Sequence, residues 1–169
     1  MKTKSLLIAA RLSMIIGLMG IFISCNKSVL KDEDLGPYNI DVTLHTLDSK
    51  GDFNAGYGFI KFRQDPDTAR IITLDTWVFN LAPNHDYILE RAVNPITDND
   101  CTSTSWLQLG KGLVAQTIHT DFKGDGMENL FRDITSIARG TQFKIHFQII
   151  DASTLATVLV SDCDQYTVR

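Results

Sequence analysis

The chain has 169 residues, 44% of them hydrophobic, which is enough for one domain with its own core. Its formal charge is −4, and residues 1–24 carry Lys2, Lys4 and Arg11 but no acid, which leaves −7 on the remainder. An acidic body lacks the clustered Lys and Arg of a nucleic-acid binder, so that class of partner is excluded.

The first predicted element is an export signal over residues 1–24. Three bases precede Leu12, and Leu12 to Ile23 is nearly all apolar. A dozen apolar residues are too few for a bilayer span, which takes about 20. A basic flank, a short apolar core and a small residue at its end form the plan of a secretory signal. The tail Phe22-Ile23-Ser24-Cys25 resembles a bacterial lipobox, with Phe22 where Leu is usual and Ile23 where a small residue is common. The resemblance implies that Cys25 is the lipidated first residue of the mature protein. It places the protein in a bacterial cell envelope as an outer-membrane lipoprotein that meets the membrane through its lipid. Residues 25–37 then read as a flexible tether, whose only large apolar residues are Val29, Leu30 and Leu35. Within it, Lys31-Asp32-Glu33-Asp34 is by composition a solvated charge run. It resembles the acidic sorting tract of Bacteroidota surface lipoproteins, which implies surface exposure.

Residues 38–169 are expected to form one all-β domain. Tyr38, Ile40, Val42 and Leu44 alternate with polar residues, the period of a strand with one buried face. Asp48 to Asp52 is turn chemistry. Strands are expected over Gly58–Gln64, ended by Pro66, and over Ile71–Phe79, apolar on both faces and therefore central. Further strands are expected over Tyr87–Ala92, Ser105–Leu109 and Val114–Thr120, with Gly110-Lys111-Gly112 as a turn and Asp121–Gly126 as a Gly-rich hairpin turn. Asn129–Ile137 reads as strand or helical turn. Phe143, Ile145, Phe147 and Ile149 give the cleanest alternation of the chain. Thr157–Val160 and Tyr166–Val168 complete about eight strands in a single antiparallel Greek-key β-sandwich or barrel. With Cys25 at the end of the signal, Cys101 and Cys163 remain. An even pair in an exported domain reads as a disulfide, with two buried thiols as the alternative. The bridge would be worth about 4 kcal/mol on the chain-entropy model.

The ordered set of motifs resembles the copper-zinc superoxide dismutases. Gly58-Phe59-Ile60-Lys61-Phe62-Arg63-Gln64 is similar to that family's second strand. Leu81-x-Pro83 precedes a strand that in the family carries His-x-His, and Asp98-Asn99-Asp100-Cys101-Thr102-Ser103 is similar to its Asp-Asn-x-x-Cys-Thr-Ser loop. The family pairs that cysteine with one near the C-terminus, where Cys163 stands. The resemblance implies the fold and argues against the activity. Leu89 and Arg91 occupy the His-x-His positions, the histidine-bearing zinc loop is absent, and only His146 lies near a copper-ligand position. One imidazole does not hold catalytic copper. Leu81-x-Pro83-x-x-x-Tyr87 also matches the tyrosine corner of immunoglobulin and fibronectin III-like sandwiches, the alternative fold.

No catalytic site, cofactor or metal site is expected. None of His45, His85, His119 and His146 forms a ligand motif, although His45 and His146 could meet in space. Asp121 to Glu128 fits a calcium loop poorly, because Lys123 and Arg132 stand where acids are needed. Gly110-Lys111-Gly112 is no P-loop, and no G-x-S-x-G elbow occurs. Trp77 reads as core, and Trp106 reads as a surface residue able to contact a ligand. Asp67-Thr68-Ala69 resembles the O-glycosylation acceptor of Bacteroidota exported proteins. The resulting expectation is a non-enzymatic, membrane-anchored lipoprotein module that binds a protein or glycan or supports an envelope assembly. The alternative is a divergent metal-binding protein or enzyme on the superoxide dismutase-like scaffold.

Overall fold

Strict alternation gives this chain its walls. The computed structural model describes residues 38–48, 55–66, 69–98 and 100–169, which fall in one compact unit. The signal over residues 1–24, Cys25 with its tether, most of the turn after Asp48, and Asp67 and Thr68 of the acceptor-like triplet lie outside the described residues. Twelve strands occur among those described. They are β1 (Ile40–His45), β2 (Tyr57–Gln64), β3 (Ile71–Phe79), β4 (Asp86–Pro95), β5 (Leu107–Gln108), β6 (Gly110–Lys111), β7 (Val114–Ala115), β8 (Ile118–His119), β9 (Gly126–Asp133), β10 (Gln142–Asp151), β11 (Thr157–Ser161) and β12 (Asp164–Thr167). The class is all-β as expected, but the count is twelve rather than about eight.

The extra strands are short pieces. Ser105–Leu109 yields only β5, Gly110-Lys111 is strand with the turn one residue later, and Val114–Thr120 splits into β7 and β8. Their shortness follows from their position. The sheet runs β5-β4-β10-β11-β1-β2-β3-β9-β6-β7, so its two ends lie close in sequence, β5 being joined to β6 through Leu109. Leu107 pairs with Arg91 of β4, the Leu109 amide donates to the Leu89 carbonyl at 2.9 Å, and Lys111 pairs with Phe131 of β9. A second stitch comes from β8, where Ile118 pairs with Tyr87 and Thr120 bridges Gly126. Thus β5 and β8 pair with β4, β6 reaches β9 through Lys111, and β7 pairs back on β6, each over no more than two residue pairs. The result is a nearly closed barrel. All strand pairs are antiparallel except Lys111 with Phe131, which is parallel. Gly110 is required in the stitch, because a Cβ there would lie 2.0 Å from the Val114 carbonyl oxygen.

The inward residues of the long strands fill the barrel. Leu44, Val78, Leu89, Phe147, Ile149 and Leu159 are fully buried. Each such side chain contributes roughly 1.5–3 kcal/mol of transfer free energy. Gln64 is buried at the end of β2, where its Oε1 accepts from the Tyr166 hydroxyl at 2.5 Å and from the Arg169 amide at 2.8 Å. One inward polar residue thus ties β2 to the C-terminus, and its desolvation is offset by two hydrogen bonds.

The β3–β4 crossover has the tyrosine-corner bond read from Leu81-x-Pro83-x-x-x-Tyr87. The buried Tyr87 hydroxyl accepts from the Ala82 amide at 3.0 Å. Thr120 locks the same corner, its hydroxyl donating to the Ala82 carbonyl at 2.7 Å while accepting from the His85 amide at 3.0 Å. Gly124 approaches so closely that a Cβ would lie 2.1 Å from the Leu81 oxygen, at a φ of +87° that favours glycine.

Candidate functional site

The barrel has two contrasting outer faces, and the sequence-predicted residues gather on one of them. Outside β4 and β10, residues 96–98 and 100–106 lie as a cover. Cys101 is bonded to Cys163, between β11 and β12, with their Cα atoms 5.5 Å apart. Asn94, outward on β4 yet buried, donates to Asp98 Oδ2 at 2.9 Å and to Thr102 Oγ1 at 3.4 Å, and accepts from the Ser103 amide at 3.2 Å. His146 on β10 hydrogen-bonds the Ser103 backbone, and Trp106 lies over it with ring centroids 4.7 Å apart. Beneath them Ala92, the register partner of His146, is fully buried.

Trp106 is therefore half-buried in the cover rather than free on the surface. Its indole closes over an imidazole whose Nε2 is buried without a hydrogen-bond partner among the described residues. Burial pushes the His146 pKa below the ordinary histidine value, the Ser103 contact opposing it. Burial of the ring thus disfavours its charged form.

The other histidines are engaged elsewhere. His45 Nδ1 is 2.9 Å from the Thr46 carbonyl, and its Nε2 faces Asp162 at 3.9 Å. His45 is level with Val160 and Gln148, so it sits two strand spacings, about 10 Å, away from β10 and not level with His146. The structure does not bring the two together. His85 pairs with Asp151 at 2.7 Å and His119 with Asp86 at 2.9 Å. Hydrogen bonds from Ser153 and Thr154, with His85, hold the Asp151 carboxyl well below the usual range. No group of three or more His, Cys, Asp or Glu that could hold a metal occurs among the described residues. Asp121 does turn work, accepting from the amides of Lys123 at 2.7 Å and Asp125 at 3.1 Å.

The second face, outside β2, β3 and β9, was read from the sequence as core at Trp77. The structure corrects that reading. Thr76 and Val78 point inward and are fully buried, so Trp77 points outward and is half-buried. Its register partners are Phe59 on β2 and Met127 on β9, 40% and 46% exposed. Tyr57 and Phe79 stack beside them with centroids 4.9 Å apart, and Phe59 meets Tyr57 edge-on at 5.7 Å. The next row across the same strands is polar: Lys61, Asp75 and Asn129. Beyond it Phe131 is exposed, and the β6–β7 turn adds Leu113 and Val114. The row thus places partly exposed aromatic and apolar side chains beside polar ones on the outer surface. Period two made this face legible in principle, but a strand apolar on both sides gives no sign of which side is covered.

Comparison with protein-family models gives no match, and neither does comparison with curated proteins or with solved structures.

Proposed function

We propose that this chain is a non-enzymatic lipoprotein module, anchored to the membrane through Cys25, that binds a protein or glycan outside the cytoplasm or supports an envelope assembly. The observation that carries the reading is the outward aromatic row of Phe59 and Trp77, flanked by stacked Tyr57 and Phe79. Aromatic faces stack on sugar rings and anchor protein partners, and the adjacent Lys61–Asp75–Asn129 row supplies donors and acceptors that fix orientation. The signal, the lipidation, the tether and the outer-membrane location rest on the sequence pattern. The finer fold proposal is a superoxide dismutase-like barrel, supported by the Cys101–Cys163 bond that the resemblance implies.

Metal handling is the second reading, favoured by the unpartnered Nε2 of His146. Trp106 occupies the space over that ring, which weakens it.

Affinity electrophoresis of the full chain in gels carrying soluble polysaccharides tests the glycan arm. The expected result is retardation by at least one polysaccharide, lost in Trp77→Ala and kept in Trp106→Phe. Equal mobility of wild type and Trp77→Ala in every gel contradicts glycan stacking on this face. A protein partner is tested by crosslinking from the same face.

A further inference from the structure

Strand register decides which turns share an end of the barrel. His45 pairs with Tyr57, Tyr57 with Phe79, Val78 with Gly126, Tyr87 with Asp151 and Ile150 with Thr157. Residues 46–48, 80–85, 120–125 and 152–156 therefore lie at one end. Residues 1–37 attach through Tyr38 at the opposite end, where Ile40 pairs with Phe62, so the point of attachment leaves the first end clear.

Exposed apolar side chains gather at that clear end. Among the described residues, those off the β2–β3–β9 face and its β6–β7 border are Leu47, Phe122 and Leu155, 67%, 74% and 67% exposed. They stand on three different turns of this one end. The backbone singles out Leu155. Its φ is +60°, a conformation that favours Gly or Asn, and Asn holds the other two left-handed non-glycine positions here, Asn80 and Asn84. A leucine there gains no burial that would offset the strain. Side chains kept against the local rule with no gain to the fold point to function.

Three of the turns form one frame. The Leu81 amide donates to the Gly124 carbonyl at 3.1 Å, Asn84 to Asp121 at 3.0 Å, and Ala152 to Asp86 at 3.0 Å. The His85–Asp151 pair adds a side-chain link. A frame set in advance loses little freedom on docking. Its charge is of one sign. Asp48, Asp86, Asp121, Asp125 and Asp151 stand at this end, and Lys123 is the one Lys or Arg among its described residues. Hydrogen bonds from the Asp125 and Lys123 amides lower the Asp121 pKa, so that charge persists into acid.

We infer that this end of the barrel docks a protein partner whose surface is basic and carries apolar pockets for Phe122 and Leu155, with Leu47 at the margin. Opposite charge would steer the encounter, and the apolar tips would hold the complex. A polyanion or an anionic lipid surface would be repelled by the aspartates. The leucines have no ring face to stack on a sugar. The surface is separate from the outer aromatic face, and neither assignment depends on the other.

The test uses the full chain in nonionic detergent and a labelled amphipathic Lys/Leu peptide, followed by fluorescence anisotropy with detergent alone as the blank. A Glu/Leu peptide and a Lys/Ser peptide are the controls. The Lys/Leu peptide should bind saturably and at least tenfold tighter than either control. Phe122→Ser and Leu155→Gly should each weaken it at least fivefold, and Trp77→Ala should leave it unchanged. Leu155→Gly relieves the positive φ, so its thermal midpoint should equal or exceed that of the wild type, which separates lost binding from lost folding. Absence of saturable binding, a control peptide binding within tenfold, a smaller effect in either tip variant, or loss of binding in Trp77→Ala would overturn the inference. So would quenching of a Phe122→Trp variant by brominated phosphatidylcholine in proteoliposomes beyond that of the wild type, because the tips would then enter a bilayer.

Discussion

The outer face of β4–β10 and the outer face of β2–β3–β9 are built from the same alternating strands, yet among the described residues one is covered and the other is bare. On the first, Asn94, His146 and Ala92 are buried by a loop that the Cys101–Cys163 bond fastens at its middle. On the second, Phe59, Met127 and Phe131 remain exposed and Trp77 is only half-covered. The chain supplies a polar anchor, a ring pair and a disulfide to close a face of modest apolar content. It leaves open the face that is richest in aromatic rings. Burying those rings against its own loops would have stabilised the fold. Their exposure therefore fits a binding role.

The largest way to break the contrast is to release the cover. Cys101→Ser with Cys163→Ser removes a cross-link spanning 62 residues of sequence and should cost about 4 kcal/mol in urea denaturation. Amide exchange at Ala92 and Asn94 should accelerate, while Trp77 and Phe59 remain as they were.

Trp106→Ala comes next, at about 2 kcal/mol, below the 3–5 of a fully buried Trp because the indole is only half-buried. It also exposes His146. That histidine's folded pKa lies below its unfolded value, so its stabilising share is present above the unfolded pKa and is lost as pH falls through the folded one. In Trp106→Ala the His146 resonance should titrate nearer the ordinary value, and this acid-side loss should shrink.

Asp164, one residue past the disulfide, has the opposite sign. Burial, with the Asp162 charge, pushes its pKa up to about 6. Its contribution is fully present below the unfolded pKa of about 3.9 and is lost as pH rises through about 6. Asp164→Asn should flatten the decline in thermal midpoint between those values and leave the His146 limb intact.

The smallest effect sharpens the comparison from the bare side. Phe59→Ala should change stability by only about 0.5 kcal/mol, as exposed positions do, while abolishing ligand retention. A loss of several kcal/mol would mean that the ring packs as core of the fold rather than serving a partner.

Much of this arrangement was legible in the sequence, and its limits are physical. The alternation of Phe143 to Ile149 gave β10, and an even cysteine pair in a domain expected to be exported gave the Cys101–Cys163 bond. The corner motif gave the Tyr87 hydrogen bond to Ala82. The lengths of β5 to β8 are not legible locally, because they depend on pairing with β4, with β9 and with one another, contacts that no local window contains. The apolar neighbours of Trp77 suggest core, whereas the period puts Thr76 and Val78 inward and Trp77 outward. Arg91 on β4 and Arg132 on β9 are far apart in sequence, and only the folded chain shows that both line one recess.

The most direct measurement of the central claim is site-specific photocrosslinking in intact cells, with a photoreactive residue replacing Phe59 on the bare face or Thr104 on the cover. Discrete adducts at position 59, none at 104, and their loss on adding Trp77→Ala are the predicted result. Equal adduct patterns at the two positions, or none at position 59, would contradict the assignment of β2–β3–β9 as the binding face.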